Sequence, residues 1–212
     1  MSEPYPELHW MIFLSQLPAN PSGLRVNVWR RLKMQGASNV QKGVWLLPQN
    51  PFNIIFLERL LGYIKENNAT GQIFVVQSLN KTIEEDIINQ FKADRDLEYA
   101  ELLEHSTSFI SEIEHEIQVK KFSFAELEES EQNFKRLQKW LLKIQKRDYF
   151  KNDKSRNALQ MIESCHTILK KYTTLLYELE GIRSKEDSEL TDNLSTLSDD
   201  GELDDDTYDT LY

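Results

Sequence analysis

Over the first eighty positions, short dense apolar runs alternate with apolar residues at helical spacing, and turn formers separate them. His9 to Leu17, with Trp10, Ile12, Phe13 and Leu14, predicts a buried strand. Pro18 to Gly23 is a turn cluster, in which Asn20 or Ser22 is placed to cap the next element. Leu24, Val28 and Leu32, joined by Trp29, then share one face of a helix that Gly36 closes. Ser38 to Leu47 predicts a second extended stretch, with a bend or bulge at Gly43 and an end at Pro48 and Pro51. Phe52 to Asn67 predicts an amphipathic helix with Ile55, Phe56, Leu60 and Ile64 inward, and Ile73 to Leu79 a further strand. This order of elements is that of a split β-α-β unit. Residues 8–80 are therefore expected to form a ferredoxin-like α/β domain, and the whole chain to be α+β.

From Thr82 onward no strand pattern returns. Thr82-Ile-Glu-Glu85 reads as a capping box opening a helical region over 82–183. Tyr99, Leu103, Ser106, Ile110, Ile113 and Ile117 fall on one seam of a long helix. Ser123-Phe-Ala-Glu126 is a second capping box, before a helix carrying Leu127, Phe134, Leu137, Leu141 and Ile144. A last helix follows Lys151-Asn-Asp153, with Leu159, Ile162, His166, Leu169, Thr173 and Leu176 inward. Three long helices with short connections predict an antiparallel bundle or hairpin. Residues 184–212 are Ser, Asp, Glu, Thr and Leu with too little to bury, and are expected to be a disordered acidic tail.

Charge sharpens this division. The chain carries a net −10 over 212 residues, yet residues 1–80 hold +3, residues 81–183 hold −3 and the tail holds −10. An acidic total is thus no argument against an anionic ligand. No run approaches the roughly 20 apolar residues that span a bilayer, so no membrane association is expected. The single cysteine, Cys165, excludes an internal disulfide and fits a reducing, cytoplasmic location.

Candidate chemistry is sparse. The densest basic feature of the first eighty residues is Arg25-x-x-x-Trp29-Arg30-Arg31-x-Lys33, with Lys42 nearby. It reads either as a solvated helix face with Trp29 in the core, or as a contact for an oxyanion or phosphate, which arginine forks match by paired hydrogen bonds. Asp94 to Glu101 mixes charge with an aromatic at a predicted helix start. Asp94 or Asp96 would cap there, or Arg95, Glu98 and Tyr99 would face the first domain and complete a polar pocket. Arg25, Arg30, Lys42, Arg95 and Tyr99 are the candidate anion-contacting residues. Glu112-x-x-His115 and Glu163-x-x-His166 match a di-iron spacing only weakly, since Glu112 and His115 point away from the apolar seam. Neither metal nor other cofactor is expected. Cys165 has no cationic neighbour to activate it and reads as buried.

Several segments together resemble the ChrB-type proteins associated with bacterial chromate resistance. They are Trp10 to Pro18 (WMIFLSQLP), Leu24 to Gly36 (LRVNVWRRLKMQG), Gly43 to Pro48 (GVWLLP), Asp94 to Leu103 (DRDLEYAELL), Phe122 to Glu129 (FSFAELEE) and Arg147 to Phe150 (RDYF). The resemblance covers the N-terminal region of that family and implies a non-enzymatic, chromate-responsive regulator of an efflux operon. Its implied partners are operator DNA and an oxyanion such as chromate; apart from the resemblance, four or five basic charges are modest for duplex recognition by one monomer, and a homodimer would double them. The first domain is also similar to the central module of phenylacetate-type repressors and, more distantly, to the small CRISPR-adaptation nuclease subunits. Those nucleases place a carboxylate at the end of the first strand. Here that place reads Leu14-Ser15-Gln16-Leu17, which argues against the alternative of a metal-dependent nuclease. A plain interaction scaffold is the third reading.

Overall fold

The computed structural model describes residues 8–18 and 23–179. The expected caps Asn20 and Ser22 and the expected tail 184–212 lie outside the described residues. Among the described residues four strands and five helices follow one another: β1 His9–Gln16, α1 Gly23–Met34, β2 Ser38–Gln41, β3 Val44–Pro48, α2 Pro51–Glu66, β4 Thr70–Gln77, α3 Lys81–Val119, α4 Phe124–Lys146 and α5 Lys154–Leu179. The class is α+β: a four-stranded sheet first, helices after. Two compact units divide the chain at Met1–Tyr172 and Thr173–Tyr212. Of the second, the described residues 173–179 are helical, with Leu176 buried.

The sheet order is β2-β3-β1-β4, and every neighbouring pair is antiparallel. Strand alternation sends successive side chains to opposite faces. Met11, Phe13, Trp45 and Leu47 therefore point one way, into a core with Leu24, Val28 and Leu32 of α1 and Leu57, Leu60 and Ile64 of α2. Trp10 and Leu46 point the other way and meet Phe91 of α3. Trp10 stacks on Phe91 at 5.6 Å between ring centroids, with Phe150 at 5.9 Å. The bend expected at Gly43 is the β2–β3 turn. Its φ of +78° suits glycine, and a Cβ there would lie 2.6 Å from the carbonyl oxygen of Ser15.

Some expectations shift. Trp29 stands 54% exposed, outside the core. On α2 the inward stripe is Asn53, Leu57, Leu60 and Ile64, while Ile55 is exposed. Asn53 takes an inward place because its side chain is satisfied there: Nδ2 donates to the carbonyl of Pro48 at 2.8 Å, and Oδ1 accepts from Gln35 at 2.7 Å. The helix expected from Thr82 starts one residue earlier, after Asn80, whose side chain accepts from the amide of Ile83 at 3.0 Å. It then runs unbroken for 39 residues, so Asp94 and Asp96 lie inside it and cap nothing. Its buried residues include Tyr99, Leu102, Ser106, Phe109, Ile113 and Glu116. That line shares Tyr99, Ser106 and Ile113 with the expected seam and leaves Leu103, Ile110 and Ile117 at its margin. The cap at Ser123 holds, accepting from the amide of Glu126 at 3.2 Å. On α5, Ala158, Ile162, Cys165, Leu169 and Tyr172 are buried while Leu159 is exposed. Among the described residues no helix is long and apolar enough to cross a membrane.

Candidate anion-contact sites

Two arginine-bearing places emerge, one on the surface and one interior. The surface place is α1, whose twelve residues carry Arg25, Arg30, Arg31 and Lys33 and no acid. Leu24, Val28 and Leu32 root one face in the core, which turns the charged face outward. Arg31 lies over the ring of Tyr63 at 4.2 Å and Lys33 over Trp45 at 6.0 Å, so aromatic faces hold both cations. Arg25, Val26 and Trp29 are exposed and Arg30 is half-buried. Lys42 is exposed on the β2–β3 turn.

The interior place is built by three segments distant in sequence: the middle of α3, the α1–β2 corner at Gln35-Gly36, and the α4–α5 connection. Arg95 is 4% exposed. Its Nη2 binds Glu98 Oε1 at 3.0 Å, while Nε of Arg147 binds Glu98 Oε2 at 2.8 Å. One carboxylate thus gives one oxygen to each of two guanidiniums. Nη1 of Arg95 reaches the carbonyl of Arg147 at 3.4 Å, and its Nε is buried with no hydrogen-bond partner. Burial pulls Arg95 below the ordinary guanidinium value, opposed by Glu98 and reinforced by Arg147.

Tyr99, one turn further along α3, donates to Asp148 Oδ2 at 3.1 Å. Burial is the main cause that pushes its phenol up to about 12, and the nearby Asp148 charge adds to it. Asp148 in turn accepts from the amide of Asn152 at 2.9 Å and 3.1 Å. Asn152 then accepts from the amide of Lys154 at 2.9 Å, at the start of α5. Its Nδ2 donates to Asp96 at 3.0 Å. Tyr149 lies with its hydroxyl 2.5 Å from the carbonyl of Gln35 and 3.1 Å from Asn53 Oδ1, and burial raises its pKa. Gly36 permits the corner: at φ +79° it sits where a Cβ would be 2.6 Å from Cβ of Arg147.

Of the five expected contacts, Arg95 and Tyr99 come together, with Glu98, in the polar junction that the sequence offered as one alternative. Arg25 and Arg30 share α1, and Lys42 stands on a separate turn. Sequence reasoning did not single out Arg147, Asp148, Asn152, Gln35 or Asn53 as junction members. Arg147 and Asp148 belong to the RDYF segment, and that segment's co-occurrence with DRDLEYAELL was the one available signal.

The weak Glu-His spacings assemble nothing comparable. Glu112 and His115 are exposed, and His166 stacks on Phe134 at 5.6 Å. Among the described residues no three or more His, Cys, Asp or Glu side chains gather as a metal site. Cys165 is buried, its thiol pushed by burial up to about 11.

A family model described as Protein ChrB, N-terminal, matches residues 25–182. No curated protein matches the chain.

Proposed function

The chain belongs to the family of Protein ChrB, N-terminal, and on that premise we propose that it is a non-enzymatic regulator in chromate resistance that contacts operator DNA and answers an oxyanion. The observation that carries this reading is α1: four cations and no acid on twelve residues, with Trp29 and Val26 exposed among them. Phosphates favour such a face through charge and arginine forks, and an exposed indole adds stacking or groove contact. Arg25, Arg30 and Lys42 are the phosphate contacts in this reading.

Arg95 and Tyr99 belong to the sensing half. Glu98 occupies the place between Arg95 and Arg147 that two oxygens of a tetrahedral dianion would take. An entering oxyanion would displace its carboxylate and loosen the hold of α3 on Arg147. The gain is charge: a dianion would replace the single negative charge of the Glu98 carboxylate between the two guanidiniums.

The test for DNA is fluorescence anisotropy with labelled duplex from upstream of the chain's own operon, with and without chromate. Wild-type protein binds and chromate shifts the affinity. Arg25→Ala and Arg30→Ala each weaken binding and reduce the salt slope by about 1. Binding that is unchanged in both variants removes α1 from the reading. For the oxyanion, Glu98→Gln binds sulfate or chromate more tightly than wild type, followed by fluorescence of Trp10, Trp29 and Trp45. Arg95→Lys binds more weakly. Equal titrations in all three proteins dismiss the junction as a sensing site.

A further inference from the structure

The two edges of the sheet are unlike. β2 is four residues long, its pairing with β3 is irregular between Asn39 and Gln41, and the side chain of Asn39 donates to the carbonyls of Gln41 (3.0 Å) and Val44 (3.2 Å). A short, bulged edge is poorly shaped to accept another strand. β4 is the opposite. It is eight residues long, its pairing with β1 runs without a break from Thr70 to Gln77, and no strand among the described residues pairs with its outer side.

The sequence of β4, Thr-Gly-Gln-Ile-Phe-Val-Val-Gln, holds no charge and no proline, and from Asn67 to Asn80 there is no charged residue at all. In a chain that is 28% charged, such a stretch lacks the lysines and prolines that usually blunt an edge. Phe74 is 48% exposed and Val75 51%. As neighbours they point to opposite faces, so the edge is open on both sides.

We propose that β4 pairs antiparallel with β4 of a second copy of this chain, joining two sheets into one of eight strands. The occupant is argued from self-complementarity. An antiparallel pair of identical strands is closed by a two-fold axis, and an uncharged strand meets its own copy without repulsion. A two-fold normal to the sheet keeps each face on its own side, so residues opposite one another have the same parity. Centring the axis on Phe74 puts Phe74 opposite Phe74 of the second copy, Val75 opposite Ile73, and Val76 opposite Gln72. This register covers both exposed apolar side chains of the edge. It also keeps the two α1 helices in one layer, on the same side of the joined sheet. The pairing stands on the edge alone and does not depend on what α1 binds.

The experiment is sedimentation equilibrium of the full chain, with Phe74→Lys and Phe74→Cys variants. Wild type shows a concentration-dependent dimer. Phe74→Lys shifts the dimer dissociation constant upward at least tenfold while its circular dichroism and thermal midpoint stay near wild type. Under mild oxidation Phe74→Cys links two copies, whereas Val76→Cys, opposite Gln72, does so far more slowly. Cys165 is buried and does not compete. A wild type that remains monomeric throughout overturns the proposal, as does a dimer indifferent to Phe74→Lys. Equal cross-linking at positions 74 and 76 overturns the register.

Discussion

Arg147 donates a 2.8 Å hydrogen bond from Nε to the carboxylate of Glu98, across 49 positions of sequence. The same carboxylate neutralises Arg95, so one acid supports two cations at the junction of α3 with the α4–α5 connection. Glu98→Gln leaves both guanidiniums without this counter-charge. Because Glu98 is partly open to solvent, the expected loss is about 1–3 kcal/mol. It should appear as a lower urea midpoint at unchanged slope, partly restored by added sulfate.

Two glycines give opposite outcomes for one substitution. Gly36→Ala forces a Cβ to within 2.6 Å of Arg147 Cβ at a φ of +79° and should destabilise by about 2 kcal/mol or more. Gly62 lies within α2 with nothing within 4 Å of an added Cβ. Gly62→Ala should stabilise by about 0.5–1 kcal/mol, because alanine has less chain entropy to lose in a helix. Thermal midpoints of both variants check the pair.

Glu116, near the α3–α4 turn, is buried with one carboxylate oxygen unpartnered. Burial raises its pKa; Glu126 and Glu112 raise it further and Lys121 opposes them. Tyr172 of α5 hydrogen-bonds the backbone at this turn. A raised folded-state pKa contributes stability in full below the unfolded value, near 4.5. That contribution is lost as pH rises through the folded value. Glu116→Gln keeps the uncharged shape at every pH. Its thermal midpoint should exceed that of wild type at neutral pH, and the difference should close in acid. A constant difference at all pH values would show that the carboxyl does not titrate as described.

The Cys165 thiol is buried and its pKa is raised to about 11, and reactivity follows the thiolate. Iodoacetamide should therefore leave native protein unlabelled at neutral pH. Labelling should rise along the same urea curve as loss of circular dichroism. Fast labelling without unfolding would contradict the packing of α5.

How much of this was legible depends on whether the buried stripe of a helix keeps one course along its length. On α1 and α4 a single apolar stripe keeps one course along the helix. There Leu24, Val28 and Leu32, and Leu127, Phe134, Leu137, Leu141 and Ile144, are buried as their spacing implies. α3 serves the sheet near Phe91 and a helical neighbour near Phe109. Its stripe therefore drifts, and half the expected seam falls at the margin. Asn53 is buried through hydrogen bonds that hydrophobic periodicity cannot register, so Ile55 looked like the inward residue. At the junction, the charge and aromatic content of Arg95, Glu98 and Tyr99 marked them on one helix. Arg147, Asp148 and Tyr149 sit in a short connection without periodicity, and their partners lie up to 114 positions away.

That 114-position contact, Tyr149 to Gln35, bears on how the protein is born. A ribosome adds about 5–20 residues each second, so some 70 residues beyond β4 take roughly 4–15 seconds to emerge. Until Phe150 appears, the Trp10 side of the nascent sheet lacks part of its lining, and the corner at Gln35 awaits its clasp. The stretch from Arg147 to Asn152 is the last segment to reach this junction. The uncharged β4 waits throughout that interval beside other emerging chains. Synthesis order thus places β4 outside the ribosome for that whole interval before the junction can close.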